Sequence, residues 1–207
     1  MNTISGGTIH IDSNTITGNV LESINSVGGG IALWANSAYN NDIRVVNNQI
    51  SGNEAAFSGG IQCRWTRAEI INNTIISNTA GNSGGGMRVD TGAEIAVANT
   101  IFWNNNALTG PQIYLGGGTL AVAYSDVEGG WSGEGNIDAD PLVEGDSLTN
   151  ASPAIGAGAL EYDFGGGVVL HSPEFDINGR MRPYPAGTNP DMGARESKLG
   201  APDAIEP

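Results

Sequence analysis

Arg64, Arg88 and Asp90 are the residues whose types and spacing most readily suggest chemistry. They lie in two segments that read alike, Gly60-Ile61-Gln62-Cys63-Arg64 and Gly86-Met87-Arg88-Val89-Asp90. Aligned, Gln62 stands against Arg88 and Arg64 against Asp90. Further copies add Ala32 and Trp34 on one side, Tyr114 and Gly116 on the other. Trp34, Tyr39 and Trp65 bring three aromatic rings to the same neighbourhood. Aromatic faces stack on sugar rings, and arginine forks hold carboxylates or sulfates through paired hydrogen bonds. Trp34, Tyr39, Trp65, Arg64 and Tyr114 therefore read as a carbohydrate-binding surface. If the group is catalytic, Arg64 or Arg88 would be the base of a polysaccharide lyase at a uronate C5, with cations neutralising the substrate carboxylate. Asp90 alone is a poor calcium site, since Ca2+ takes roughly 6–8 oxygens. The plainer reading is a solvated face on which Arg64 and Asp90 pair across one repeat for ~0–1 kcal/mol. A glycosidase would need paired carboxylates on one face, and these segments carry none.

A second group is acidic. Asp126, Glu128, Glu134, Asp138, Asp140, Glu144 and Asp146 follow one another with no basic residue between them. Asp126, Glu128, Asp138 and Asp140 are the candidate calcium ligands, on a spacing that fits no established calcium loop. A solvated acidic edge is the simpler account, so no cofactor is expected beyond a possible Ca2+. Cys63 is a small core residue, and a single cysteine excludes an internal disulfide. His10 and His171 are too few for a zinc cluster. Thr15, Thr74 and Thr100 fall in one repeat column, as an ice-binding face would need, but Gln49 interrupts it.

The elements that position these residues follow from a repeat of about 26 residues. Asn14-Thr15-Ile16, Asn48-Gln49-Ile50, Asn73-Thr74-Ile75 and Asn99-Thr100-Ile101 open its copies, and Ser125-Asp126-Val127 extends the column. A second element carries Ile31, Ile61, Met87 and Ile113 in one inward column and Leu33, Cys63, Val89 and Leu115 in another. A third runs through Ile9-His10-Ile11, Ile43-Arg44-Val45, Ala68-Glu69-Ile70 and Glu94 to Val97; its fourth copy slips by one residue, as a bulge would. Each element alternates with period two, the mark of a half-buried strand. Identical side chains recurring at one period place like above like. The pattern predicts an all-β, single-stranded parallel β-helix of about five rungs, three short strands per rung, over residues 1–145. Asn14, Asn48, Asn73 and Asn99 would form an amide ladder along it. Rung one carries two lengthened loops, at residues 20–27 and 34–42, and solenoid insertions often mark a binding face.

On these residues the chain resembles the right-handed parallel β-helix proteins of the pectin-lyase-like superfamily. The stretch Tyr124-Ser125-Asp126-Val127-Glu128-Gly129-Gly130-Trp131 on to Asp138-Ala139-Asp140-Pro141-Leu142 is similar to the last coil of secreted bacterial members with an anchor-type region after the helix. Ser152-Pro153-Ala154-Ile155, Asp176-Ile177-Asn178-Gly179-Arg180 and Asp191-Met192-Gly193-Ala194 continue the resemblance. Gly156 stands where those proteins usually carry an acid, and Arg195 where they carry an aromatic. The resemblance implies an extracellular or cell-surface setting and no defined activity, because the superfamily mixes enzymes with adhesins.

Charge and composition narrow the partners. With 8 basic against 22 acidic residues the formal charge is −14, which repels nucleic acid and anionic membranes. No apolar run approaches the ~20 residues of a spanning helix, and no signal peptide is visible at the start. Residues 146–207 are proline-rich and lack the repeat, so they are expected to cap the C-terminal end. Rung one begins near Ile9 with no capping helix before it. The sequence therefore predicts an open edge exposing Ile9, Ile11, Ile16, Ile31 and Leu33, and self-association through it. The expected function is a non-catalytic surface or secreted module, part of a larger protein, that binds polysaccharide or a surface protein along its side. The alternative is a lyase acting on an acidic polysaccharide.

Overall fold

The computed structural model describes residues 8–35 and 42–199. The alternating apolar segments are short strands, and each pairs in parallel with its counterpart one repeat away. Sheet 1 stacks Thr8–Asp12, Asp42–Val46, Arg67–Ile71, Glu94–Ala98 and Thr119–Ala123. Sheet 2 stacks Thr15–Thr17, Gln49–Ser51, Thr74–Ile76, Ile101–Trp103 and Asp126–Val127. Sheet 3 stacks Ile31–Trp34, Ile61–Arg64, Met87–Asp90 and Ile113–Gly116. The chain is a parallel β-helix. Among the described residues no helix is long and apolar enough to cross a membrane.

Like residues sit above like, as the period requires. Ile50 and Ile75 are direct partners, both fully buried. Ile61, Met87, Cys63 and Val89 fill the facing columns from sheet 3, and Val45, Ile70 and Val97 those from sheet 1. Where the chain turns between sheets 1 and 2, Ser13, Asn47, Asn72, Asn99 and Tyr124 all take φ between 47° and 57°. Asparagine tolerates this left-handed conformation better than most residues. Close approach elsewhere demands glycine: a Cβ on Gly60 would lie 2.2 Å from the Gly86 carbonyl oxygen.

Inside the corner runs the amide ladder. The Asn48 Nδ2 donates to the Ile11 and Val46 carbonyls, each at 2.8 Å, and to Asn73 Oδ1 at 3.0 Å. The next member is Thr100, whose Oγ1 accepts from the Asn73 N–H, followed by Ser125 and Asn136. Asn99, the expected fourth member, instead occupies the left-handed corner beside Asn72. A second ladder, unforeseen from the sequence, passes through Asn19, Asn53, Asn78, Asn105 and Gln112. Buried amides matched in this way satisfy turn groups that would otherwise be left unpaired.

The same register shift moves the core. Phe102, not Ile101, stands in line with Ile75 and Val127 and is fully buried. Its cause is one extra residue in the turn before Glu94. Glu94–Ala98 itself pairs regularly with Arg67–Ile71, so the expected bulge is absent. Ile101 faces outward and is buried against Ala154 and Met192 of the C-terminal tail. Thr100, in the ladder, also leaves the Thr15 column, which reads Thr15, Gln49, Thr74, Ile101 and Asp126. On the first rung Ile9 is 46% exposed, but Ile31 and Leu33 are buried at 7% and 5%, contrary to expectation. Ile11 and Ile16, the other two members of the expected open edge, are half-buried against the core. Leu115, placed in the second inward column, is 46% exposed because, among the described residues, sheet 3 has no strand beyond it.

The tail runs back along the solenoid, past the last rung. That rung is closed by residues 128–139: Trp131 packs on the main core, and Asn136 Nδ2 donates to the Val122 carbonyl at 3.0 Å. From residue 150 the chain doubles back along the solenoid. Asn99 donates to the Ala159 carbonyl, Asn72 to that of Asp191 and Asn47 to that of Phe175, at 2.8, 3.0 and 2.8 Å. These asparagines lie on successive rungs. Leu170 closes a second apolar cluster over Val46, Ile71 and Ala98 on the outer side of sheet 1.

Candidate functional site

The outer side of sheet 3 carries the predicted carbohydrate surface. Strand alternation turns Ala32, Gln62, Arg88 and Tyr114 outward in one row, with Trp34 beside Arg64 in the next. The Trp34 indole is 59% exposed, and the Arg64 guanidinium lies 5.1 Å from its ring centroid. The Arg64 Nε is, among the described residues, buried without a hydrogen-bond partner. Among the described residues Arg64 makes no ion pair, whereas Arg44, Arg67 and Arg88 on the same solenoid each do.

Arg88 is placed differently. Its Nε donates to Asp90 Oδ2 at 2.8 Å, and its Nη1 to Ser83 Oγ. The rings of Phe57 and Tyr114 lie 5.0 and 4.9 Å from its guanidinium carbon. Gln62 Nε2 adds a hydrogen bond to Asp90 Oδ2 at 3.1 Å. The ion pair on this face is therefore Arg88 with Asp90 along one strand, not Arg64 with Asp90 across two. Side chains two residues apart on a strand share a face, and that proximity prevails over the cross-rung alternative. A guanidinium so engaged is poorly placed to accept a proton as a lyase base.

Trp65 has φ of 52° and its ring lies flat on Gly92, where a Cβ would fall 2.0 Å from the ring. One face of that indole is thus covered. Tyr39 lies outside the described residues. The structure brings Trp34 and Arg64 together as an open platform and leaves Arg88, Asp90 and Tyr114 as its packed continuation. Phe57 and Ser83 were missed because they precede the glycine turns. Their column, Val27, Phe57, Ser83 and Thr109, becomes readable once the strand register is known. Cys63 lies beneath this sheet; burial, with Asp90 adding to it, pushes its thiol up to about 12, so it stays protonated and inert.

The acidic candidates are dispersed onto backbone donors. Glu128 accepts from the Asn104 N–H and from Gln112 Nε2, Asp138 from the Gly129 N–H and Asp140 from the Leu142 N–H. Among the described residues no three acidic, histidine or cysteine side chains converge on a common metal position. Asp126 is buried, with Oδ1 accepting from the Ala139 N–H at 3.3 Å and Oδ2 unpartnered. Burial, reinforced by Asp138 and Asp140, pushes its carboxyl up to about 7. An acid whose folded pKa exceeds its unfolded value of about 4 stabilises fully below that value. The contribution is lost as pH rises towards 7 and stays lost above it. Asp126→Asn removes this titration. The variant should gain on the wild type progressively between pH 4 and 7, by about 2–4 kcal/mol in all. Urea unfolding at several pH values reads the difference; a gap that does not change with pH would refute it.

Comparison with protein-family models, with curated proteins and with solved structures finds no match to this chain.

Proposed function

We propose that this chain is a non-catalytic β-helix module of a secreted or cell-surface protein that binds acidic glycan along sheet 3. The observation that carries the reading is the exposed Trp34 indole with the Arg64 guanidinium over its ring, a guanidinium that makes no ion pair among the described residues. An indole face packs against the C–H face of a pyranose, and the stacked arginine offers N–H donors to a carboxylate or sulfate on the same sugar. Parallel rungs spaced ~4.8 Å apart form a straight, rigid face suited to an extended polymer. The pectin-lyase-like resemblance of the Tyr124-to-Leu142 stretch and of the tail motifs supports the extracellular setting.

The test is binding of uronate and sulfated oligosaccharides, measured by calorimetry. Trp34→Ala should weaken binding about tenfold or more, the loss of one aromatic platform. Unaltered affinity in that variant would move the site elsewhere. Accumulation of unsaturated sugar products, read by ultraviolet absorbance, would replace the binding reading with the lyase.

A further inference from the structure

A second candidate surface lies on sheet 1, where the tail hairpin of Glu161–Asp163 and Val169–His171 overhangs the strands. Two hollows of about 420 and 460 Å3 open there. Both are lined by Arg67, Ala68, Glu69, Gly167 and Val168, so they adjoin at the hairpin tip. Together they run across the rungs from His10 to Ala121. Five strands at ~4.8 Å spacing give a trough of ~19 Å, the length of about four sugar rings.

We propose that this trough binds a neutral oligosaccharide. At one end Ala96 and Ala121 pair on adjacent strands. Ala121 is exposed, whereas Ala96 is buried in the cluster that Leu170, Phe164 and Val168 cover, so the open apolar floor at this end is Ala121 beside the Phe164 ring. Phe164 walls that end, its ring held edge-on to Tyr162 at 4.7 Å. The tip glycines Gly165, Gly166 and Gly167 have φ of 80°, 62° and 86°, so side chains are disfavoured there and the wall remains bare backbone.

The rim decides the ligand's charge. Arg44 pairs with Glu69 at 3.0 Å and Arg67 with Glu94 at 3.2 Å, each across one rung. On a chain of formal charge −14, these pairs leave the trough with each guanidinium matched by a carboxylate. A charged polymer would have to separate an ion pair to be held. Sugar hydroxyls donate to the carboxylates and accept from the guanidinium N–H groups while both pairs stay intact. The site is independent of the sheet 3 platform, and its ligand differs from that one in charge.

The experiment uses the full chain and neutral tetrasaccharides, cellotetraose and mannotetraose, with a galacturonate tetramer alongside. Binding is followed by calorimetry and by amide chemical shifts. At least one neutral tetrasaccharide should bind and perturb Ala121 and Phe164. Ala121→Ile, which fills the floor from an exposed position, should weaken it about tenfold. Glu94→Gln should weaken it severalfold without altering the core, and Trp34→Ala should leave it unchanged. No neutral binding at millimolar concentration would overturn the proposal. So would neutral binding that Ala121→Ile and Glu94→Gln leave intact, or that Trp34→Ala abolishes. Loss of galacturonate binding alone in Trp34→Ala bears on the sheet 3 platform and not on the trough.

Discussion

Ile75→Asp should leave the solenoid unfolded at room temperature. Ile75 is fully buried between Ile50 and Phe102 and belongs to the continuous core. The substitution forfeits that burial, opens a cavity and forces a carboxylate into an apolar stack. These terms together cost on the order of 5 kcal/mol or more. A whole domain is stable by only about 5–15 kcal/mol. Circular dichroism and urea unfolding give the measurement, and an unchanged midpoint would mean that the register is wrong. Ile101→Asp makes the contrast. Ile101 is equally buried, but against Ala154 and Met192 of the tail. That variant should keep the strands and loosen residues 150–199, visible as faster amide exchange confined to the tail.

The second large effect concerns the tail's anchor. Arg182 and Glu196 form an ion pair at 3.0 Å with both side chains fully shielded from solvent. Arg182 Nη1 also donates to the Asp191 carbonyl at 2.8 Å and Nη2 to the Gly193 carbonyl at 3.2 Å. Asp176 and Asp191 lie in the same cluster. Asp176 accepts from the Asn178, Arg180 and Glu196 N–H groups, Asp191 from those of Gly156 and Ser197. Burial pushes Glu196 up to about 7 and raises Asp191 as well, although Arg182 opposes both shifts. Arg182→Ala removes the guanidinium that pairs with Glu196 and leaves that buried carboxylate without its counter-charge. Breaking a buried pair from one side costs about 3–5 kcal/mol. The tail should become sensitive to protease while the solenoid persists. Adding Glu196→Gln should recover part of the loss, since a neutral amide is cheaper to bury than an unpaired charge. Equal protease resistance in wild type and Arg182→Ala would show that the tail is held by its other contacts.

Sequence reasoning reached the solenoid because its information is local. A strand half buried against a shared core must alternate, and stacked rungs must repeat, so Ile50 over Ile75 and Ile61 over Met87 could be read directly. The Asn48–Asn73 part of the ladder came from the same periodicity. Trp34 and Arg64 were likewise brought to one face by counting alternate residues.

What the sequence alone did not determine depended on counts of one and on contacts distant along the chain. A single extra residue before Glu94 exchanges inside for outside in the following strand of sheet 2, because side chains alternate with period two. This puts Phe102 in the core, Thr100 in the ladder and Ile101 under the tail. Arg88, Asp90 and Gln62 could be assigned to one surface from spacing, but which of them pair is settled by rotamers and short-range geometry. The tail carries no repeat, so nothing local specifies its course. Only the tertiary structure reveals that Asn47, Asn72 and Asn99 on successive rungs bind its backbone, and that it overhangs sheet 1 to form a trough there. Those hydrogen bonds join residues separated by 60 to 128 positions. Side chains that choose partners across such distances leave no period in the sequence.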